Sequence, residues 1–239
     1  MSGITGIIQS EDVGYCLYLC LHALQHRGQE AAGIVTFDGN KSHVYKAPGL
    51  LSEVFSSEKL QTLPGKCGVG QVLYSDKSVR GHRENIEPLS FQFKGHTLDI
   101  TVSASLINRD VLRTECEEAG HIFSTTSNAE LIAALVAGEL IRGVEAKKAV
   151  IHALHKLEGA YTGCAVLDGT LYAFRDPLGV KPLCFGKTDA GFAVVSESVA
   201  LDIIGGTLIR DVAAGELLIL TADTYTAVQF AKADHTAHC

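Results

Sequence analysis

Apolar positions change period several times along the chain, and the changes divide it into elements. Residues 3–8 form a short apolar run that predicts a buried strand. Residues 13–24, with Leu17, Leu21 and Leu24 recurring at helical spacing, predict a helix. Residues 32–37 and 42–47 flank Asp38, Gly39 and Asn40, the pattern of a hairpin, and 69–74, 89–93 and 98–102 read as further strands. Three helical stretches follow at 108–119, 128–140 and 146–157, separated by glycine or by serine and threonine. Beyond Gly159 the strand pattern returns at 161–167, 171–174, 183–185, 192–196, 216–220 and 224–230, with a short helix at 198–204. Strands, then helices, then strands predict an α+β fold in which two stacked antiparallel sheets are flanked by helices, a four-layer αββα sandwich. No repeat or low-complexity linker interrupts the pattern, so residues 1–239 are expected to form one domain.

Composition adds limits. Apolar residues make up 46% of the chain and charged residues 20%, enough for a conventional core. A formal charge of -7 and a pI near 5.8 give no general attraction for nucleic acid, so any anion site must be local. Neither a bilayer-spanning apolar run nor a basic-and-apolar leader is present, which predicts a cytoplasmic protein without membrane contact. The seven cysteines, Cys16, Cys20, Cys67, Cys116, Cys164, Cys184 and Cys239, are odd in number and lack paired ligand spacing. Reduced thiols are expected, with no metal and no cofactor.

Candidate chemistry comes from motifs. Residues 23–33 read Ala-Leu-Gln-His-Arg-Gly-Gln-Glu-Ala-Ala-Gly, and residues 175–183 read Arg-Asp-Pro-Leu-Gly-Val-Lys-Pro-Leu. With them come Gly3-Ile4, Gly6-Ile7, Gly68, Gly70, Glu84-Asn85-Ile86, Pro88-Leu89, Gly159-Ala160-Tyr161-Thr162, Ser196-Glu197 and Gly215-Glu216. Together they resemble the class II, Ntn-type glutaminase domain of glutamine phosphoribosylpyrophosphate amidotransferase, from residue 1 to about residue 230. The family's second, phosphoribosyltransferase domain is absent from the 239 residues. Read without the family, residues 175–183 form a scaffold turn closed by an ion pair.

The resemblance implies a nucleophilic cysteine where this chain has Ser2, and a carboxylate-binding arginine where Gly70-Gln71-Val72-Leu73-Tyr74 carries Leu73. It implies an asparagine-glycine oxyanion pair at Ser103-Ala104 and an aspartate at Asn128. A serine hydroxyl is a weaker nucleophile than a low-pKa thiolate, and leucine cannot fork onto a carboxylate. One oxyanion donor alone is worth about 3 to 4 kcal/mol of barrier. On these grounds the chain is expected not to be a working glutaminase, and Ser2 to be a degenerate nucleophile position.

Residues 75–83, Ser-Asp-Lys-Ser-Val-Arg-Gly-His-Arg, bring cations into an acidic chain. Arg80 and Arg83, with Arg27, Asn108 and Arg109, are the candidate substrate-binding residues, suited to a phosphate. Gln71, Tyr74, His82, Ser103 and Asn128 are the candidate catalytic residues, as hydrogen-bond donors and a proton donor. The expected ligand is a purine-precursor ribonucleotide. The expected reaction is IMP cyclohydrolase ring closure of the formylated carboxamide precursor, which needs positioning and polarisation rather than a covalent catalyst. The alternative is a catalytically inactive, glutaminase-like regulatory or subunit protein of an amidophosphoribosyltransferase-type system. A homo-oligomer is left open.

Overall fold

Burial on both faces decides which strands lie at the centre. β1 (Gly3–Gln9) and β2 (Ala31–Phe37) are buried at every position, whereas β3 (Ser42–Pro48) is half-buried and lies at an edge. The computed structural model describes residues 1–9, 12–74 and 83–232. With β4 (Cys67–Leu73), β9 (Cys184–Thr188), β10 (Gly191–Val195) and β11 (Thr207–Asp211), these strands make a seven-stranded sheet in the order β11-β9-β10-β1-β4-β2-β3. The second sheet contains β5 (Leu89–Phe93), β6 (His96–Leu106), β7 (Gly159–Leu167), β8 (Thr170–Arg175), β12 (Glu216–Leu220) and β13 (Tyr225–Gln229), in the order β13-β12-β8-β7-β6-β5. All pairs are antiparallel.

Three apolar clusters correspond to the three interfaces of a four-layer sandwich. Ile4, Ile8, Val35 and Val69 from the first sheet meet Cys164, Val166, Leu171 and Leu218 from the second. On the outer face of the first sheet, Ile7, Ile34 and Val72 pack with Leu17 and Leu21 of α1 (Val13–Ala23) and with Leu201 of α7 (Val199–Asp202). On the outer face of the second, Leu98, Ile100 and Val102 pack under α4 (Arg109–Glu118), α5 (Asn128–Ile141) and α6 (Ala146–His155). Side chains alternate along a strand, so β1 sends Ile7 to the helices and Ile4 and Ile8 to the other sheet. Each such aliphatic side chain contributes about 1.5 to 3 kcal/mol on full burial.

The predicted αββα sandwich is therefore the observed fold. Three short elements were not expected from the pattern: α2 (Leu51–Val54), α3 (Ser57–Leu60) and β11. β6 also runs to Leu106 rather than stopping at residue 102, because Ser103, Ala104 and Ser105 pair with Thr162, Tyr161 and Ala160 of β7. The turn after β8 is closed by main-chain hydrogen bonds instead of the expected ion pair. Arg175 donates to the carbonyls of Gly179, Lys181 and Val212, each at 2.7 Å, and Asp176 accepts from the amides of Tyr161, Leu178, Val180 and Lys181.

No helix among the described residues is long and apolar enough to cross a membrane. The six described cysteines are free. Burial pushes the Cys20 and Cys184 thiols up to about 12, and the Cys67 and Cys164 thiols higher still.

Candidate functional site

β1 and β4 in one sheet and β6 in the other end at a common cleft of about 770 Å³. Met1, Ser2, Leu73, Tyr74, Ser103, Ala104, Arg109, Asn128 and Lys181 line it, with Asn85, Glu87, Thr126 and Ser127. Ser2 is buried, and Tyr74 holds its hydroxyl from both sides of the peptide: the Tyr74 amide donates to Oγ at 3.2 Å, and Oγ donates to the Tyr74 carbonyl at 3.5 Å. The Ser2 carbonyl accepts from Arg27 Nε at 3.3 Å. Arg27 sits at the end of the 3-10 turn Gln25–Arg27, and the next residue explains how that turn comes so close. A Cβ on Gly28 would lie 2.4 Å from the Val72 carbonyl oxygen, so only glycine lets the turn approach the end of β4.

Arg27 also pairs with Glu197, Nη1 to Oε1 at 2.5 Å, and His26 lies 3.1 Å from the same carboxylate. Burial pushes the Glu197 carboxyl up, and the Arg27 and His26 hydrogen bonds outweigh it and hold the group below the usual carboxylate range. The Met1 amine is lowered by burial first and then by the Lys181 and Arg27 charges. Lys181 is only 7% exposed, and burial lowers it, with Arg27 adding to the effect and Asp176 opposing it.

Beneath the cleft lies a polar layer that sequence reasoning did not place. Glu87 Oε2 accepts from Gln71 Nε2 at 3.0 Å, Thr101 Oγ1 at 3.1 Å and the Val102 amide at 2.7 Å; Oε1 accepts from Ser127 Oγ at 2.6 Å. Burial still raises the Glu87 carboxyl above its ordinary range, partly offset by the hydrogen bonds from Ser127, Val102 and Thr101 and by the Lys46 charge. Ser127 caps α5, accepting from the Ala129 amide at 2.9 Å, so Glu87 fixes the start of that helix. Asn85 secures the same segment, with Oδ1 accepting from the Thr126 amide and Nδ2 donating to Thr126 Oγ1.

The structure brings together Ser2, Leu73, Tyr74, Ser103, Asn128 and Arg109, all on this cleft. Gln71 lies in the polar layer beneath, buried, with Nε2 bonded to Glu87 and to the Val102 carbonyl. Asn128 donates through Nδ2 to the Ala104 carbonyl, and its Oδ1 is buried without a partner, as is Arg109 Nε. Other candidates fall elsewhere. Arg27 serves Ser2 and Glu197 from outside the cleft lining, and Asn108 bonds the Lys156 carbonyl and Glu158 amide at the start of α4. Arg83 is exposed in the 3-10 turn Arg83–Asn85 and is not among the cleft-lining residues. Arg80 and His82 lie outside the described residues. Glu87 and Lys181 were missed as site residues, although the first precedes Pro88 and the second belongs to the 175–183 motif. Among the described residues no group of three or more His, Cys, Asp or Glu side chains is placed to hold a metal.

A family model of the glutamine amidotransferase domain matches residues 76–202, over half of the chain. The chain belongs to this glutamine amidotransferase domain family. Among its relatives, amidophosphoribosyltransferase of Methanocaldococcus jannaschii is 39% identical over 220 residues, 91% of this chain and 46% of that protein. The Archaeoglobus fulgidus amidophosphoribosyltransferase is 37% identical over 241 residues, 100% of this chain and 52% of that protein. The solved glutamine phosphoribosylpyrophosphate amidotransferase of Bacillus subtilis, complexed with ADP and GMP, superposes with a TM-score of 0.88 at 34% identity, covering 96% of this chain and 49% of that one. The chain spans about half the length of the relatives it matches.

Membership in the glutamine amidotransferase family confirms the resemblance and the Ntn-type fold, and overturns two expectations. IMP cyclohydrolase activity is not what the relatives carry: chains alike over almost all of these residues are amidophosphoribosyltransferases. Its physical premise was a phosphate clamp on residues 80–83, of which Arg83 is on the surface and the others lie outside the described residues. The exclusion of glutaminase chemistry fails on the same relatives, because it weighed four substituted positions above a scaffold that the amidotransferases share.

Proposed function

We propose that the chain works in the cytoplasm as the glutamine-amidotransferase-type unit of an amidophosphoribosyltransferase-type system for purine synthesis, as a subunit or regulatory partner of a phosphoribosyltransferase unit. The observation that carries this reading is the match of 91% to 100% of the chain to about half of each archaeal relative. A phosphoribosyltransferase unit, on the same chain or another, supplies the remainder. The cleft beside Ser2 is the ligand site of the unit, with Ser2, Tyr74, Ser103, Asn128 and Arg109 at the ligand and Gln71 in the layer that supports them. A purine-related ribonucleotide is the regulatory ligand of the assembly, a role supported by the nucleotide complex of the Bacillus subtilis relative.

Affinity capture of the tagged protein from its own cells tests the reading. A phosphoribosyltransferase-domain polypeptide, or a covalently continuous one, is expected at a fixed stoichiometric ratio. Recovery of the chain alone at cellular concentration would overturn the proposal.

A further inference from the structure

We propose that a cavity between the three helices over the second sheet is a second ligand site, which takes a flat aromatic ring carrying an acidic substituent. The inference does not depend on how the Ser2 cleft is read. α5 starts at that cleft with Asn128 and reaches this cavity at Gly138, ~15 Å further along the helix axis.

The cavity has a volume of about 250 Å³ and lies where the C-terminal halves of α4, α5 and α6 converge. An apolar cavity of about 150 Å³ already admits benzene, so this one has room for a bicyclic ring. Buried Cys116, Leu135 and Ala153, one from each helix, form its inner wall. Gly138 on α5 keeps it open. Glycine is, after proline, the least favourable residue within a helix, and the chain's own packing does not call for it here. Gly138 has no positive φ, and a Cβ on it would meet nothing nearer than Arg142 Nη1 at 4.0 Å. Gly120, on the same cavity, is different: its φ of +95° just past the end of α4 itself favours glycine. The room that Gly138 leaves is not taken up by this chain.

Charged groups at the mouth set the ligand class. Glu139 pins Arg142 through Oε1 and accepts from or pairs with His152 Nδ1 through Oε2 at 2.9 Å. The Arg142 guanidinium is thereby held beside Gly138, where a planar cation can stack on an aromatic ring. Lys156 supplies the preference for an acid. Its Nζ lies 3.6 Å from Glu115 Oε2 and makes no hydrogen bond among the described residues. Both partners of that pair are about half exposed, so the contact holds Lys156 weakly and a ligand anion can replace it. The Lys156 charge already reaches the inner wall: burial pushes the Cys116 thiol up, and Lys156 opposes the shift. Both cations are open to a ligand, the Arg142 side chain being 63% exposed and that of Lys156 47%.

Calorimetric titration of the full chain with two probes, indole-3-carboxylate and indole, tests the proposal. The carboxylate is expected to bind saturably, about fivefold or more tighter than indole, and to weaken as salt rises. Gly138→Leu fills the cavity with a better helix former, so it is expected to keep or raise the melting temperature while weakening the carboxylate about tenfold or more. Gly138→Ala should also raise the melting temperature and weaken the probe to a smaller extent, which keeps the test decisive if leucine disturbs the fold. Lys156→Gln should bring the carboxylate down to the affinity of indole and leave indole unchanged. Absence of saturable binding by either probe, or wild-type affinity in both Gly138 variants, overturns the site. Equal affinity of the wild-type chain for the two probes overturns the acidic ligand class.

Discussion

Gln71 and Glu87 meet beneath the cleft, Gln71 Nε2 lying 3.0 Å from Glu87 Oε2, and the contact ties β4 of one sheet to the segment that leads into β5 of the other. Gln71 Nε2 also donates to the Val102 carbonyl at 2.8 Å, and Glu87 reaches Ser127 at the start of α5. Truncating Glu87 to alanine leaves these donors buried without their acceptor. Glu87→Ala is expected to destabilise the fold by about 2 to 4 kcal/mol, measured by urea denaturation. A loss below about 0.5 kcal/mol would show that the layer contributes little.

Glu87 also sets a pH dependence. Burial raises its carboxyl in the folded chain, so the unfolded chain ionises first as pH climbs past about 4.3. The stabilising contribution is full below that pH and is lost as pH rises through the higher folded-state value. Glu87→Gln has no such titration. The wild-type minus Glu87→Gln difference in melting temperature should therefore fall as pH rises through this window, and a difference that grows would contradict the assignment.

Gly28 predicts a steric effect. A methyl group there meets the Val72 carbonyl at 2.4 Å and must push the Gln25–Arg27 turn off the end of β4. Gly28→Ala should cost about 1 to 3 kcal/mol and lengthen the Arg27 to Ser2 contact, as a crystal structure of the variant would record. An unchanged contact at 3.3 Å would refute the packing argument.

Much of this was legible in the sequence. Period-two and period-3.6 patterns located the strands and helices of both sheets because burial repeats along them, and the motifs gave the family. The polar tail of β6 was not legible: Ser103, Ala104 and Ser105 have no apolar alternation, and their strand geometry comes from β7. β11 was hidden for a related reason, since it is an edge strand with Leu208 and Ile209 exposed. Glu87 and Lys181 are charged residues whose burial is decided by what packs over them, which local patterning does not encode. The cyclohydrolase expectation went wrong by weighting substitutions and a basic loop above the shared scaffold.

Glu197 makes a prediction of opposite sign. Arg27 and His26 hold its carboxyl below the ordinary range, so its contribution is present at neutral pH and is lost as pH falls through the lowered folded-state value. Glu197→Gln should flatten the acid side of the stability curve and leave Arg27 Nε at Ser2. An unchanged acid limb in the variant would count against a working ion pair.

The most direct measurement is the nitrogen-transfer rate of the assembly captured with this chain, assayed on phosphoribosylpyrophosphate with glutamine or ammonia as donor, before and after the chain is depleted. Removal is expected to change the rate or the preference between donors, and adding the purified chain back should restore it. An assembly whose rate and donor preference are the same with and without the chain would contradict the amidotransferase-unit account.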